Sequence, residues 1–424
     1  MSKRILLIAY SYPPLSDAQS IRWYFLSKGL VELGYEIDVL TIDLPKNVGN
    51  FPFEIPNNIR QFRSFPGLIE GISFKLKSKI GVDTKNNKNL RKRSSFRLLK
   101  GGYWLIRRIL NSLLVGGIQT EWLPFALNYL RKIDLERYDL VITSQEPVVD
   151  SLVGLILKYL RPEVPWIADM GDTFSAPYYP NWRRRLDWWF EKLIVNKADR
   201  VILTNNYALK DLLNRVGSFD TEKFFILRQG FPRKLLDLSN RKRKKNKIFT
   251  LVFTGTFYRD FRNPSELIKA LSEVNFDYKL IIAGRNEGFL KDFEIIKDKV
   301  EFLGFVSYSE SLKLQQEADV LIHLSNKQSI QVPGKFFEYL GARKPILSIV
   351  YTKEDETARL TEELGAGIVC FNSADSIRSA VTKLYNLWKT DTLENFFSVD
   401  RKVLEEFTWE SNAKKLGRLI EEVS

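Results

Sequence analysis

Residues 325–349 read SNKQSIQVPGKFFEYLGARKPILSI, and the fold of the chain is decided by how this stretch is parsed. Polar turn residues lead into Pro333 and Gly334, an apolar-periodic run follows, and Gly341 precedes Lys344-Pro345. The pattern predicts a short helix between two loops. Pro333 suits the first helical position, where its missing N–H would have no intrahelical partner, and Gly341 suits the residue just past the last turn. Strand-length apolar runs flank the helix, ADVLIHL at 318–324 and ILSIV at 346–350. Strand, loop and helix in that order set free backbone N–H groups and the positive end of a helix dipole at the tip of a sheet, an arrangement that favours a bound phosphate. Lys335 adds a full charge in the first turn. Glu338 lies three residues on, on the same face, where a carboxylate can accept from two sugar hydroxyls. A buried βαβ crossover carrying an exposed Lys–Glu pair competes with this reading, and these residues alone leave both open.

The 424 residues suit two domains of about 200 each. An apolar fraction of 44% with 27% charged residues is that of a globular chain. The single cysteine, Cys370, rules out an internal disulfide and fits a reducing compartment. The single histidine, His323, sits in a strand-like run, which leaves no material for a catalytic triad or a histidine-rich metal site. The expectation is therefore no metal.

Net charge is +14 and unevenly placed. From Thr84 to Thr120 there is no acid, while Lys85, Lys88, Arg91, Lys92, Arg93, Arg97, Lys100, Arg107 and Arg108 all fall there. A second basic run, RKRKKNK, covers 241–247. Between Phe96 and Gly117 aliphatic and aromatic residues mix with the bases, which reads as a segment lying on an anionic bilayer surface. Each base near such a surface contributes about 1 kcal/mol. A docking helix with a solvated basic flank reads equally well. Nucleic acid fits less well, because a groove reader wants polar side chains and phosphate contacts where this segment is aliphatic. No apolar run reaches the ~18 residues of a membrane span. The start of the chain passes from Met1-Ser2-Lys3-Arg4 directly into an apolar strand, so no secretion signal is expected and the cytoplasm is the expected location.

The N-terminal order is strand (4–10), loop, helix (21–33), Gly34, strand (35–42). This βαβ unit predicts a parallel, doubly wound sheet, without a G-x-G-x-x-G fingerprint. Residues 47–120 are the least regular. Further strands are expected at 138–143, 166–168, 198–204 and 224–227, and the half closes near Pro232. The α/β alternation restarts with strands at 249–254, 279–283, 300–303 and 366–371, plus the two around the opening stretch. Asp172 follows the strand at 166–168, where ligands of open α/β sheets gather. A carboxylate capping the next helix is the competing account. Gly255 opens a loop carrying Arg259 and Arg262 before Asn263-Pro264-Ser265-Glu266, a helix start with Asn263 as cap. Two arginines beside a helix N-terminus suit a diphosphate, each charge-assisted bond being worth roughly 1.5–3 kcal/mol.

Residues 333–345 resemble the nucleotide-sugar-binding helix of retaining GT-B glycosyltransferases of the family 4 type, with the pattern P-S-K-x-x-E-Y-x-x-x-x-K-P. Pro333, Lys335, Glu338, Tyr339, Lys344 and Pro345 match, Gly334 takes the Ser place, and Ile330 stands where a leading glutamate is usual. The loop at 11–20 is similar to the family's Y-x-x-P-P opening, with Arg22 in the place of a frequent arginine and Asp17 and Ala18 near the place of a glycine pair. Asp169 to Phe174 resembles the D-x-x-D-x-W loop.

The resemblance implies two Rossmann-like domains, 1–232 for the acceptor and 233–424 for the nucleotide sugar, with a cleft between them and a terminal helix at 409–423 packing back on the first. It implies hexosyl or N-acetylhexosaminyl transfer from a UDP- or GDP-sugar to a lipid-linked or polysaccharide hydroxyl, with retained configuration and no cofactor. Donor residues would be Gly255, Arg259, Arg262, Arg285, Pro333, Gly334, Lys335 and Glu338; Pro14, Ser16, Arg22 and Asp172 would face the acceptor. Of these, Asp172, Arg262, Lys335 and Glu338 would carry catalysis. The missing leading glutamate and glycine pair are what a non-catalytic nucleotide-sugar-sensing or membrane-docking protein of the same fold would show, and a sugar-nucleotide epimerase of the same architecture is a second alternative.

Overall fold

A computed structural model describes residues 2–46, 48–49, 51–83, 107, 109–171, 181–217, 220–238, 245–327 and 332–423. The chain divides into two compact units: Met1–Arg228 together with Ala413–Ser424, and Gln229–Asn412.

The first unit is built on a seven-stranded sheet of order β3-β2-β1-β4-β5-β6-β7, with every strand pair parallel. The strands are β1 Arg4–Ile8, β2 Glu36–Ile42, β3 Ile59–Ser64, β4 Leu140–Ser144, β5 Trp166–Asp169, β6 Arg200–Leu203 and β7 Phe224–Ile226. Continuous apolar runs such as ILLI in β1 suit a parallel sheet covered on both faces, because both sets of side chains are buried. The core joins Leu6, Ile8 and Leu40 of the sheet to Trp122, Val153 and Ile194 from the helices.

Strand β3 falls in the stretch where no regular element was expected. It is an edge strand, IRQFRS, whose Arg60 Nε donates to Asp38 of β2 at 3.0 Å. Charged residues on a sheet edge block further pairing. The first helix starts at Ala18 rather than near Ile21, because the Asp17 carboxylate accepts from Ser20 N at 2.9 Å and caps it.

The second unit carries a six-stranded sheet, β10-β9-β8-β11-β12-β13, again all parallel. Its strands are β8 Phe249–Thr254, β9 Tyr278–Ala283, β10 Val300–Gly304, β11 Val320–Leu324, β12 Ile346–Val350 and β13 Gly367–Phe371. In both sheets the order reverses beside the first strand, between β1 and β4 and between β8 and β11. Such a switch point leaves a crevice outside the carboxyl ends of the strands, where neighbouring loops diverge.

The helix after β11 spans Gly334–Ala342 and corrects the expected ends by one residue or two. Pro333 takes the capping position, with φ −60° and ψ 142°, and Gly341 lies inside the helix. Arg343 terminates it in the left-handed region at φ 55°. Gly341 is needed for packing rather than for a turn: a Cβ there would stand 2.5 Å from Phe231 Cδ2. The terminal helix spans Trp409–Val423, and its part from Ala413 on belongs to the first unit. There a Cβ on Gly29 would approach Ala413 Cβ to 2.4 Å, and Tyr35 donates to Glu421 Oε1 at 2.7 Å. Among the described residues no helix is long and apolar enough to cross a membrane.

Candidate nucleotide-sugar site

The loops after β8 and β11 meet across the switch point of the second sheet. Arg262 Nε donates to Asn326 Oδ1 at 2.9 Å, and Lys327 N donates to Phe261 O at 2.8 Å. The β8 loop folds on itself, with Tyr258 and Arg262 exchanging backbone bonds of 3.0 and 2.9 Å. Burial depresses the Arg262 pKa, opposed by the nearby Tyr258, Tyr339 and Tyr351 hydroxyls. The same guanidinium adds to the effect of burial on His323, whose pKa falls to about 3, so the imidazole is neutral. Its Nε2 is buried without a partner.

Asn263, expected as the cap of the helix after this loop, stands one residue before the cap position. Its Oδ1 accepts from Ser265 N at 3.0 Å, while Pro264 occupies the cap position of Ser265–Ser272. Glu266 does not close a capping box; its carboxylate accepts instead from Ala374 N at 2.9 Å.

Among the described residues no side chain caps the N-terminus of the Gly334–Ala342 helix. Lys335 Nζ stands 2.8 Å from Glu338 Oε2 and 3.2 Å from Ser311 Oγ, and lies over the Tyr308 ring at 5.4 Å from its centroid. Glu338 is 5% exposed and also accepts from Gln315 Nε2 at 2.9 Å. Tyr339, the next residue, anchors the helix to the sheet: its hydroxyl accepts from Thr254 N at 2.9 Å.

The remaining donor candidates are placed less uniformly. Gly255 follows β8 directly, and its carbonyl accepts from Asn286 Nδ2 at 2.9 Å while a Cβ on Gly284 would meet it at 1.9 Å. That close approach of two loops requires glycine at 284. Arg259 turns away from Arg262: its guanidinium pairs with Asp292 at 3.0 and 3.3 Å and lies over Phe289. Arg285 is exposed, over the Phe305 ring at 5.2 Å. The geometry thus joins Arg262 to Asn326 beyond the carboxyl ends of β8 and β11, with the Gly334–Ala342 helix following β11, and commits Arg259 to an ion pair.

In the first unit Pro14 and Ser16 are half-buried in the loop after β1. Arg22, set facing the acceptor by the resemblance, is fully buried, with Nε 2.9 Å from Asp169 Oδ2 and Nη2 3.1 Å from Oδ1. Its guanidinium also donates to the carbonyls of Leu227 and Arg228 at 3.1 and 3.2 Å. A helix-borne fork held in this way ties β5 to the end of β7. Asp172, Ile330 and most of the basic segment at 85–117 lie outside the described residues. Reading the sequence alone missed Asn326 and Gln315; the one available signal was their position, in the loop after β11 and on the helix before it. Among the described residues no cluster of His, Cys, Asp and Glu suits a metal ion.

Comparison with known proteins agrees with this architecture. Residues 237–396 match the family described as glycosyl transferases group 1, and residues 89–226 match the glycosyl transferase 4-like domain. No curated protein matches by sequence. Among solved structures, sucrose-phosphate synthase from Thermosynechococcus elongatus superposes with a TM-score of 0.67 at 17% identity, covering 99% of this chain and 98% of that one. Anabaena HepE in complex with UDP and glucose gives 0.63 at 13% identity, over 99% and 100%. WaaG, a glycosyltransferase involved in lipopolysaccharide biosynthesis, gives 0.64 at 14% identity, over 98% and 99%. The fold is therefore GT-B, two α/β units each with a parallel, doubly wound sheet. The chain belongs to the group 1 glycosyltransferases.

Proposed function

We propose that the chain is a retaining glycosyltransferase that moves a sugar from a UDP- or GDP-sugar to a hydroxyl of a lipid-linked or polysaccharide acceptor in surface polysaccharide synthesis. The observation that carries the reading is the Arg262–Asn326 bond, which fixes a partly buried cation at the switch point of the second sheet. The departing nucleoside diphosphate carries two negative charges or more in the transition state. A preorganised guanidinium, the Lys335 ammonium and the uncapped N-terminus of the Gly334–Ala342 helix stabilise that charge in place of a divalent ion. Glu338 accepts from donor hydroxyls. A donor phosphate oxygen takes the acceptor proton. Pro14, Ser16 and Asp172 serve the acceptor, with Asp172 orienting its hydroxyl. HepE, solved with UDP and glucose, supports the donor class.

The acid-free basic segment at 85–117 supports peripheral attachment to the anionic inner face of the cytoplasmic membrane, which would bring a lipid-linked acceptor within reach. The test is incubation of the pure protein with a panel of UDP- and GDP-sugars, with and without crude lipid acceptor, following nucleoside diphosphate release. Release that depends on acceptor is expected. No release with any donor points to a nucleotide sensor, and interconversion of the donor without transfer points to an epimerase. Arg262→Ala should weaken calorimetric binding of UDP or GDP at least tenfold, the loss of one charge-assisted bond of about 1.5–3 kcal/mol; unchanged binding would remove Arg262 from the site.

A further inference from the structure

Gln315 lies in the helix Tyr308–Glu317 that precedes β11, and it is fully buried. Its Nε2 stands 2.9 Å from Glu338 Oε2, 3.1 Å from Thr254 Oγ1 and 3.2 Å from Ser311 Oγ. Ser311 Oγ also receives Lys335 Nζ at 3.2 Å, and Lys335 reaches the same Glu338 oxygen at 2.8 Å. Four side chains from β8 and two helices thus form one network around a single carboxylate oxygen.

The amide orientation is informative. Gln315 Oε1 is buried without a partner. Turned over, the amide would offer that oxygen to the Thr254 and Ser311 hydroxyls, yet it would then press a carbonyl oxygen against the Glu338 carboxylate. A buried charge outweighs a buried neutral acceptor, so Glu338 dictates the orientation and the orphaned oxygen is its cost. Glu338 in turn has both protein bonds on Oε2. Among the described residues Oε1 accepts none, and it is not among the buried atoms left unpartnered, which leaves it as the oxygen for a ligand. A carboxylate oxygen has room for two donors, which a pair of neighbouring hydroxyls supplies.

We propose that Gln315, with Ser311, is a positioning residue for donor recognition. It clamps Oε2 of Glu338 so that Oε1 meets the two ribose hydroxyls of the nucleotide. The proposal rests on the donor-site reading above, and it commits to the ribose because the nucleotide carries that diol whichever sugar is attached.

The test is calorimetric binding of UDP and GDP, and of their 2′,3′-dideoxy analogues, to the full chain. Gln315→Met is expected to weaken the nucleotide that the wild type prefers about tenfold while leaving its dideoxy analogue within twofold. Glu338→Gln should show the same selectivity, and the double variant should lose no more than Glu338→Gln alone. Equal weakening of nucleotide and analogue, or none, would make Gln315 a packing residue and overturn the proposal while the donor reading stands. A wild-type chain that binds neither UDP nor GDP would overturn both. Should Gln315→Met melt below the assay temperature, Gln315→Glu decides: the new carboxyl fits the same space, repels Glu338 once ionised, and should weaken UDP or GDP progressively between pH 6 and 8, whereas a pH-independent affinity equal to wild type counts against the role.

Discussion

Lys335 Nζ stands 2.8 Å from Glu338 Oε2, one turn apart on the same helix, so the cation expected to meet a diphosphate already has a carboxylate beside it. Glu338 is almost wholly buried and Lys335 about one-third exposed. The two side chains have to be read as a unit.

Removing only the cation therefore has two effects, loss of attraction for phosphate and exposure of the ligand to an uncompensated carboxylate. Lys335→Ala is expected to weaken binding of inorganic pyrophosphate at least tenfold, and adding Glu338→Gln should restore part of that loss because the remaining charge is gone. Pyrophosphate is the suitable ligand, since it has no hydroxyls for Glu338. Isothermal titration checks the pair, and a double variant weaker than Lys335→Ala would show that the two charges do not act on the same ligand.

His323 gives the second unit an acid-sensitive core. Its pKa is about 3 when folded against an ordinary value of 6.5, so the unfolded chain binds the extra proton between those limits. Stability from the neutral, buried ring is fully present above pH 6.5 and is lost as pH falls toward 3, by roughly 5 kcal/mol at most. Denaturation of wild type and His323→Phe followed from pH 7 to pH 3.5 should show the wild type losing ground to the variant across that window. Parallel curves would contradict the assignment.

Arg22 and Asp169 form a fully buried, two-bonded ion pair. Breaking such a pair from one side costs about 3–5 kcal/mol, because the other charge stays buried alone. Arg22→Met and Asp169→Asn should each lower the unfolding midpoint markedly, and Arg22→Lys should rescue little, since an ammonium cannot span both oxygens and two carbonyls in one plane. Donor binding in the second unit should survive in all three variants, which a nucleotide titration at low temperature can establish.

Gly341 packs face to ring against Phe231, which is 0% exposed. Gly341→Val is expected to cost about 1–3 kcal/mol through overpacking, despite valine being as acceptable as glycine to the local helix. Combined with Phe231→Leu, the two losses should sum to less than their separate values, a coupling that equilibrium denaturation measures.

The α/β alternation was legible from apolar runs and loop residues, because strands buried on both faces write themselves as unbroken hydrophobic segments. Strand β3 was not, because Arg60, Gln61 and Arg63 interrupt its pattern and what holds it is Asp38 on the neighbouring strand. The site divides the same way. Lys335 and Glu338 could be paired from their three-residue spacing, but Gln315 could not be joined to Glu338, nor Asn326 to Arg262, since each contact closes a loop of chain whose folding the local sequence does not specify. The role of Gly341 was misjudged for the same reason: its ring partner is far back along the chain, so a packing requirement looked like a helix stop.

The last twelve residues return to the first unit, where Ala413 fills the space over Gly29 and Glu421 takes the Tyr35 hydroxyl and the Lys3 ammonium. No single cut in the gene therefore yields that unit whole. A fragment ending at Arg228 would uncover Gly29 on its first helix, so anyone wishing to excise a stand-alone half should graft the terminal segment back through a linker or begin from the Gln229–Asn412 piece, which is continuous.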